Sequence, residues 1–203
     1  GCWSNTYKLG SEENIKLSIE EGIIHFEGQQ FDLSELPMHG QHNLNNVVMA
    51  IYATFLHGIH PQKSFLALKK SNGVKRRFET VFQNNDKIVI DDFAHHPTAI
   101  SFTVEAAISH FSSKKIAGVV ELASNTMSQG HHGLELYNST SGLEQVYWLN
   151  LSSKKNQEFE YDSINLLLED LKQDIDNIDV ILIMSNKDSK KISEPLIDLI
   201  KSK

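Results

Sequence analysis

The sequence predicts an α/β fold, with a mostly parallel sheet covered by helices on both faces and a shorter segment of a different kind before it. Two observations carry this prediction. From Phe78 onward, short apolar runs alternate with helix-like segments, as in successive βαβ units. The run Val-Ile-Leu-Ile-Met at 180–184 is apolar at every position, which indicates a strand buried on both faces.

The segment before Phe78 is predicted to contain short strands followed by two helices. The predicted strand-like pieces are 15–19, 22–26 and 31–37. From His42 to His57 the apolar residues recur with the spacing of an amphipathic helix, and Gly58 ends it. Pro61 suits the first turn of a second helix, which we expect to extend to Lys70.

The segment that begins at Phe78 alternates regularly between the two kinds of element. The predicted strands are 79–83, 87–91, 115–121, 145–149 and 179–184. The predicted helices are 97–111, 162–175 and 189–201. We therefore expect part of one domain at 1–72, a linker at 73–77 and a complete three-layer domain at 78–203.

The composition excludes several classes of protein. The net charge of −7 and the isoelectric point near 5.8 argue against a nucleic-acid or membrane-surface binder. Cys2 is the only cysteine, which excludes an internal disulfide and a multi-cysteine zinc site. No apolar run approaches the roughly 20 residues of a membrane span. We expect a cytoplasmic protein and, because the chain starts at Gly1 without methionine, part of a longer one.

The most informative motif is Asp-Asp-Phe-Ala-His-His-Pro at 91–97, between a predicted strand and a predicted helix. Ligands of open α/β sheets bind beyond the carboxyl ends of the strands, where this motif would lie. Four titratable side chains in six residues predict a catalytic or polar-ligand site. The plainer alternative is that Asp92 caps the turn while the histidines are solvated.

Three other polar groups are candidates for binding. Asn43 and Asn46 are three residues apart, so both carboxamides can project from one side of a first helical turn and could bind adenine or cap the helix. The cluster Lys-Arg-Arg at 75–77 suits phosphate oxygens, although charge clusters are often merely solvated. The turns at 121–127 and 184–186 would join Asp92 at one sheet edge if their strands are parallel, and we assign no metal ligands.

The ordered set of these motifs resembles the Mur ligases. The matching stretches are Gly-x-His-Asn-x-x-Asn at 40–46, Arg-Arg-Phe-Glu at 76–79 and Asp-Asp-Phe-Ala-His-His-Pro-Thr at 91–98. The wording at 73–77, 91–100 and 124–127 is similar to the peptidoglycan-recycling branch, whose members join UDP-N-acetylmuramate to the tripeptide L-Ala-γ-D-Glu-meso-diaminopimelate. The resemblance implies a Rossmann-like C-terminal Mur ligase domain at 78–203, preceded by the end of the central ATP-binding domain.

The resemblance also implies a role for each matched residue. Adenine would be contacted by Asn43 and Asn46, the terminal phosphates of ATP by Arg77, and the ribose hydroxyls by Asp92. His95 and His96 would lie near the acyl phosphate and the incoming amine. The substrate residues would be Ser124, Asn125, Thr126, Ser185 and Asn186.

The reaction of this family is ATP-dependent amide formation, for which the resemblance implies ATP and Mg²⁺ as cofactors. The chain contains no Gly-x-x-x-x-Gly-Lys-[Ser/Thr] phosphate loop, so we expect that loop and the metal ligands upstream, and we expect this chain alone to be inactive. Two departures concern the substrate. Leu122 and Ala123 replace the Pro-Arg of the recycling branch, and Lys-Asp-Ser-Lys-Lys at 187–191 replaces a glycine-rich loop.

Three alternatives stay open at this point. Ligases that add L-alanine to UDP-N-acetylmuramate share the motif Asp-Asp-aromatic-x-His-His-Pro. From the residues alone, Asp91, Asp92, His95 and His96 could instead build a metal-dependent phosphoesterase site. A non-catalytic domain that binds a peptide or nucleotide weakly is the third reading.

Overall fold

The computed structural model of the chain describes residues 17–20, 22–26, 28–122, 133–150 and 160–202. The chain divides into two compact units, Gly1–Gly73 and Val74–Lys203. Within the described ranges, no helix is both long enough and apolar enough to span a bilayer.

The first unit is a small antiparallel sheet with two helices. Its strands are β1 (Leu17–Glu20), β2 (Ile23–Phe26) and β3 (Gln29–Asp32), and its helices are α1 (Gln41–Leu56) and α2 (Pro61–Lys69). Apolar side chains from β2, β3, α1 and α2 form one core, with Ile24, Val48 and Ile51 fully buried. The predicted piece at 31–37 was wrong in its bounds: β3 starts earlier, and Asp32 then accepts a hydrogen bond from the Ser34 N–H (2.9 Å) and starts a 3-10 helix.

The second unit contains a six-stranded sheet in the order β4-β5-β9-β6-β7-β8. The strands are β4 (Glu79–Gln83), β5 (Ile88–Asp92), β6 (Ile116–Glu121), β7 (Gln145–Leu149), β8 (Glu160–Tyr161) and β9 (Val180–Met184). The helices are α3 (Pro97–His110), α4 (Gly133–Asn138), α5 (Ile164–Asp174) and α6 (Lys190–Lys201). Among the described strands of this sheet, only the pairing of β4 with β5 is antiparallel, which confirms the predicted α/β class with a mostly parallel sheet.

Both faces of this sheet are buried, as the apolar strand at 180–184 predicts. Leu182 of β9 packs in a core with residues of α3 and α4, whereas its neighbours Ile181 and Ile183 pack in a second core with α5 and α6. Two short elements, α4 and β8, were not predicted from the sequence. The helix α4 has only six residues, too few for a helical period, and β8 has two residues, so tertiary contacts determine both.

Two tyrosine–carboxylate pairs join α5 to neighbouring strands. The Tyr147 hydroxyl donates to Asp174 (3.1 Å), and the Tyr161 hydroxyl donates to Asp170. Burial, together with the adjacent carboxylates, raises the pKa of Tyr161 to about 12 and also raises the pKa of Tyr147.

The Tyr161 pair predicts a specific loss of stability at alkaline pH. The folded state holds the Tyr161 proton more tightly than the unfolded chain, where tyrosine titrates near pH 10. Its contribution to stability is therefore complete below that pH and is lost as the pH rises through about 12. We expect the free energy of unfolding, measured by urea titration, to fall more steeply over this range in the wild type than in Tyr161→Phe. Equal slopes would contradict the assignment.

Candidate functional site

The candidate site lies at the carboxyl edge of the second sheet. Strand β9 is parallel to both β5 and β6, with Asp92 opposite Met184 and Val120 also opposite Met184. The turns after these three strands therefore meet at one edge, as the sequence predicts for parallel strands. The ends of β5, β6 and β9 and the turns that follow them carry the buried polar side chains Asp91, Asp92, Glu121, Ser185 and Ser189.

Asp92 is buried and bonded to its own unit. Its Oδ2 accepts from the Phe78 N–H (2.7 Å), and its Oδ1 accepts from the Ala94 N–H (2.8 Å) and the Thr103 hydroxyl (3.2 Å). Burial raises the pKa of Asp92, and the Ala94, Phe78 and Thr103 bonds and the charge of Arg77 oppose that rise. The predicted contact with ribose stays a prediction, and it would use the lone pairs that these three bonds leave.

The neighbouring carboxylate, Asp91, belongs to a second network. Its Oδ2 accepts from the Ser189 hydroxyl (2.6 Å) and lies 3.4 Å from Nε of Arg76. Arg76 also donates from Nη2 to the Ser185 carbonyl (2.5 Å). The Ser185 hydroxyl donates to Glu121, so one network connects the ends of β5, β6 and β9.

The two predicted catalytic histidines have different surroundings. His95 is half-buried, and its Nδ1 lies 2.9 Å from the Phe93 carbonyl. Because a carbonyl only accepts, Nδ1 carries the proton, and Nε2 of the neutral ring is left as the basic nitrogen. His96 is exposed and is the N-cap residue of α3, with Pro97 as the first helical residue. The motif thus places one ordered and one exposed imidazole at the sheet edge.

The first unit holds the two predicted adenine contacts, in the first turns of α1. The Asn43 carboxamide donates to the His39 carbonyl (2.9 Å), and Asn46 is exposed. Gly40 is the N-cap residue, and it has no side chain to cap the helix. Asn43 therefore does not cap α1 in the usual sense of accepting a backbone N–H. The adenine role of both residues stays a prediction.

The predicted substrate residues are described only in part. Ser124, Asn125 and Thr126 lie outside the described residues, as does Ala123. Ser185 is fully buried, and its hydroxyl accepts from the Lys187 N–H (2.9 Å) as well as donating to Glu121. Asn186 is half-buried, and its Oδ1 has no hydrogen-bond partner within the described part of the chain. Leu122 is buried in the core, which accounts for a leucine at this position.

Several residues of the site were missed in the sequence. Thr103 lies within α3, outside every motif, and Ser189 lies before α6 in the segment 187–191, for which no role of its hydroxyl was predicted. The positions of these two hydroxyl groups carry no signal in the sequence, because their partners, Asp92 and Asp91, are not their neighbours along the chain. In the described ranges, no three His, Cys, Asp or Glu side chains form a group that could hold a metal ion. The four residues of the phosphoesterase alternative therefore lack the geometry of a metal site.

Comparison with known proteins identifies the family. The family model "Mur ligase, glutamate ligase domain" matches residues 76–187, more than half of the chain. The chain belongs to the Mur ligase family. This finding overturns the phosphoesterase alternative, and it confirms the resemblance carried by the motifs at 76–79 and 91–98.

Two Mur ligases are similar to this chain over different lengths. The Haemophilus influenzae UDP-N-acetylmuramate–L-alanyl-γ-D-glutamyl-meso-2,6-diaminoheptandioate ligase is 30% identical across 100% of this chain, which covers 49% of that relative. A Streptococcus pneumoniae UDP-N-acetylmuramate–L-alanine ligase is 39% identical over 48% of this chain and 22% of its own length. The chain thus spans about half, or less, of the relatives it matches.

Among solved structures, a murein peptide ligase from Psychrobacter arcticus is similar with a TM-score of 0.63 and 26% identity. The match covers 88% of this chain and 41% of the Psychrobacter protein. The chain is therefore similar in both fold and sequence to the part of the Psychrobacter murein peptide ligase that it matches.

Proposed function

We propose that this chain is the C-terminal part of an ATP-dependent ligase that joins UDP-N-acetylmuramate to the recycled tripeptide L-Ala-γ-D-Glu-meso-diaminopimelate. The observation that carries the proposal is the 30% identity with the Haemophilus influenzae tripeptide ligase along the whole chain. In the proposed domain division, 1–72 ends the central ATP-binding domain, 73–77 is the linker and 78–203 is the C-terminal domain. The proposed location is the cytoplasm.

The proposed chemistry is amide formation through an acyl phosphate. Arg77 is exposed, and its guanidinium makes no hydrogen bond or ion pair to another described residue, so its donors suit the terminal phosphates of ATP. The basic Nε2 of His95 suits removal of a proton from the incoming amine. Asn43 and Asn46 are proposed to contact adenine, and the exposed His96 to lie near the acyl phosphate. The proposed substrate contacts are Ser124, Asn125, Thr126, Ser185 and Asn186.

ATP is proposed as the cofactor together with Mg²⁺, because phosphoryl transfer requires neutralisation of the phosphate charge. The described residues do not form a metal site. The phosphate loop and the metal ligands are proposed to belong to the remainder of the ligase.

The second candidate function is addition of L-alanine to UDP-N-acetylmuramate. The observation in its favour is the higher identity, 39%, with a Streptococcus pneumoniae L-alanine ligase, although this match covers only 48% of the chain. The sequence at 122–123 also bears on the choice between the two functions, because Leu122 and Ala123 replace the Pro-Arg of the recycling branch. The exposed Lys187, Lys190 and Lys191, which follow β9, are proposed to supply the positive charge for a diaminopimelate carboxylate that the missing arginine would otherwise provide.

The two functions differ in one measurable preference. In the complete ligase of which we propose this chain is a part, phosphate release from ATP with UDP-N-acetylmuramate is measured with the tripeptide and with L-alanine. We expect kcat/KM for the tripeptide to exceed that for L-alanine by about a hundredfold or more, because unpaired polar groups strongly disfavour the wrong substrate. Arg77→Ala should lower the stimulated rate about a hundred- to a thousandfold. A preference for L-alanine would establish the second function, and no stimulation by either amine would overturn both.

A further inference from the structure

We propose that Arg76 is a positioning residue: it ties the turn at 76–78 to the loop at 185–189 and thereby orients the adjacent Arg77. This inference rests on the proposed function, in which Arg77 contacts the phosphates of ATP. The two arginines are neighbours in sequence, yet Arg76 is half-buried while Arg77 is exposed. Adjacent residues with such different surroundings are suited to different tasks, one structural and one in ligand binding.

The backbone around Arg77 has an unusual conformation. Arg76 and Phe78 both have φ of +56°, and among the described residues these are the only two non-glycine residues with positive φ. This left-handed conformation is unfavourable for side chains with a Cβ and persists only where surrounding contacts impose it. Arg77 therefore lies between two residues whose conformation depends on those contacts.

Backbone contacts hold the turn on the sheet edge. The Arg76 carbonyl accepts from the Phe93 N–H (2.8 Å), and the Arg76 N–H donates to Glu79 (2.7 Å). The Phe78 N–H donates to Asp92 (2.7 Å). The bonds to Phe93 and Asp92 attach the turn to the end of β5, and the bond to Glu79 attaches it to β4, but none of the three reaches β9.

The Arg76 side chain supplies the connection to the end of β9. Its Nη2 donates to the Ser185 carbonyl (2.5 Å), and its Nε lies 3.4 Å from Asp91, which also accepts from the Ser189 hydroxyl (2.6 Å). Its guanidinium lies 5.1 Å from the centroid of the Phe93 ring, and the Arg77 guanidinium lies 5.5 Å from the same centroid. The shared ring and the shared turn mean that a shift of Arg76 moves Arg77.

A lysine cannot reproduce this arrangement, because it is a point charge without the planar guanidinium that donates to the Ser185 carbonyl while it lies beside the Asp91 carboxylate. The test is made in the complete proposed ligase with Arg76→Lys, and with Asp91→Asn as a second variant that keeps the shape of the side chain. We expect each to lower kcat about ten- to a hundredfold, as for a small misplacement of a catalytic group, with KM for ATP changed less than about threefold. Lys114→Ala, an exposed residue before β6, is the control and should leave kcat unchanged.

A double-mutant cycle separates positioning from general damage to the structure. In the Arg77→Ala background, Arg76→Lys should lower kcat by less than about threefold, because the group it positions is absent. A decrease in kcat as large in the Arg77→Ala background as in the unsubstituted ligase would overturn the proposal. An Arg76→Lys variant with the kcat of the unsubstituted ligase would overturn it as well.

Hydrogen exchange tests the physical link without relying on the proposed function. In the 203-residue chain, Arg76→Lys should speed exchange at the Phe93 and Lys187 amides and leave Trp148 of β7 unchanged. Unchanged exchange at Phe93 and Lys187 would refute the link. If exchange changes but the complete ligase shows no activity, the proposed function is refuted, and with it the expected effect on kcat. The physical link between Arg76 and the loop at 185–189 would still stand.

Discussion

Asp92→Ala is expected to destabilise the unit Val74–Lys203 by about 3 kcal/mol or more. The substitution leaves two buried backbone N–H groups and the Thr103 hydroxyl without their acceptor, at a cost of about 1–3 kcal/mol for each unpaired group. Burial raises the pKa of this carboxyl group, which shows that burying its charge is unfavourable. Its removal therefore offsets part of that cost. The loss of three acceptor contacts is the larger effect, so the net change is destabilising.

The measurement is urea unfolding of the 203-residue chain, and Asp86→Ala is the matched control because Asp86 is exposed. We expect the control to change the free energy of unfolding by less than about 0.5 kcal/mol. Thr103→Val should cost about 1 kcal/mol, since it removes one of the three donors. A fully stable Asp92→Ala protein would show that the carboxylate is not needed for the fold, which would strengthen its predicted role at ribose.

Leu182→Ala is expected to cost about 2–5 kcal/mol, the range for removing a large buried aliphatic side chain. Leu182 is fully buried at the centre of β9, and β9 is the strand between β5 and β6 in the sheet. The surrounding side chains come from both neighbouring strands and from α3, so they have little room to collapse into the cavity.

Leu166 provides the comparison for this second experiment. It lies on α5 with 50% of its surface exposed, so Leu166→Ala should change the free energy of unfolding by less than about 0.5 kcal/mol. Both variants are compared by urea unfolding at neutral pH. Similar losses for the two leucines would contradict the assignment of Leu182 to the core.

The order of the strands could not be read from the sequence. Strand β9 is the last in the chain, yet it pairs with β5 and β6 near the middle of the sheet. Hydrophobic periodicity reports which residues are buried, and it contains no information on which strands are neighbours. The helices α1, α2, α3, α5 and α6 were nevertheless predicted to within a few residues, because each has a clear apolar stripe, proline or cap.

The candidate site, too, could be predicted only in part from the sequence. The motif at 91–97 was recognisable because its titratable residues are consecutive, and a strand–turn–helix places them at a sheet edge. The surroundings of Asp92 and Arg76 were not recognisable. Thr103 bonds Asp92 from 11 residues away, and the Ser185 carbonyl accepts from Arg76 across 109 residues.

The sequence by itself determined the α/β class, the two-sided burial of the sheet and the Mur ligase motifs, since these depend on local periodicity and on consecutive residues. Only the tertiary structure decided that Asp92 supports the turn at 76–78, that Arg76 reaches the end of β9 and that Arg77 stays exposed. The physical reason is that a hydrogen bond or a desolvated charge depends on which distant groups the fold brings within about 3 Å, and spacing along the chain does not report that distance.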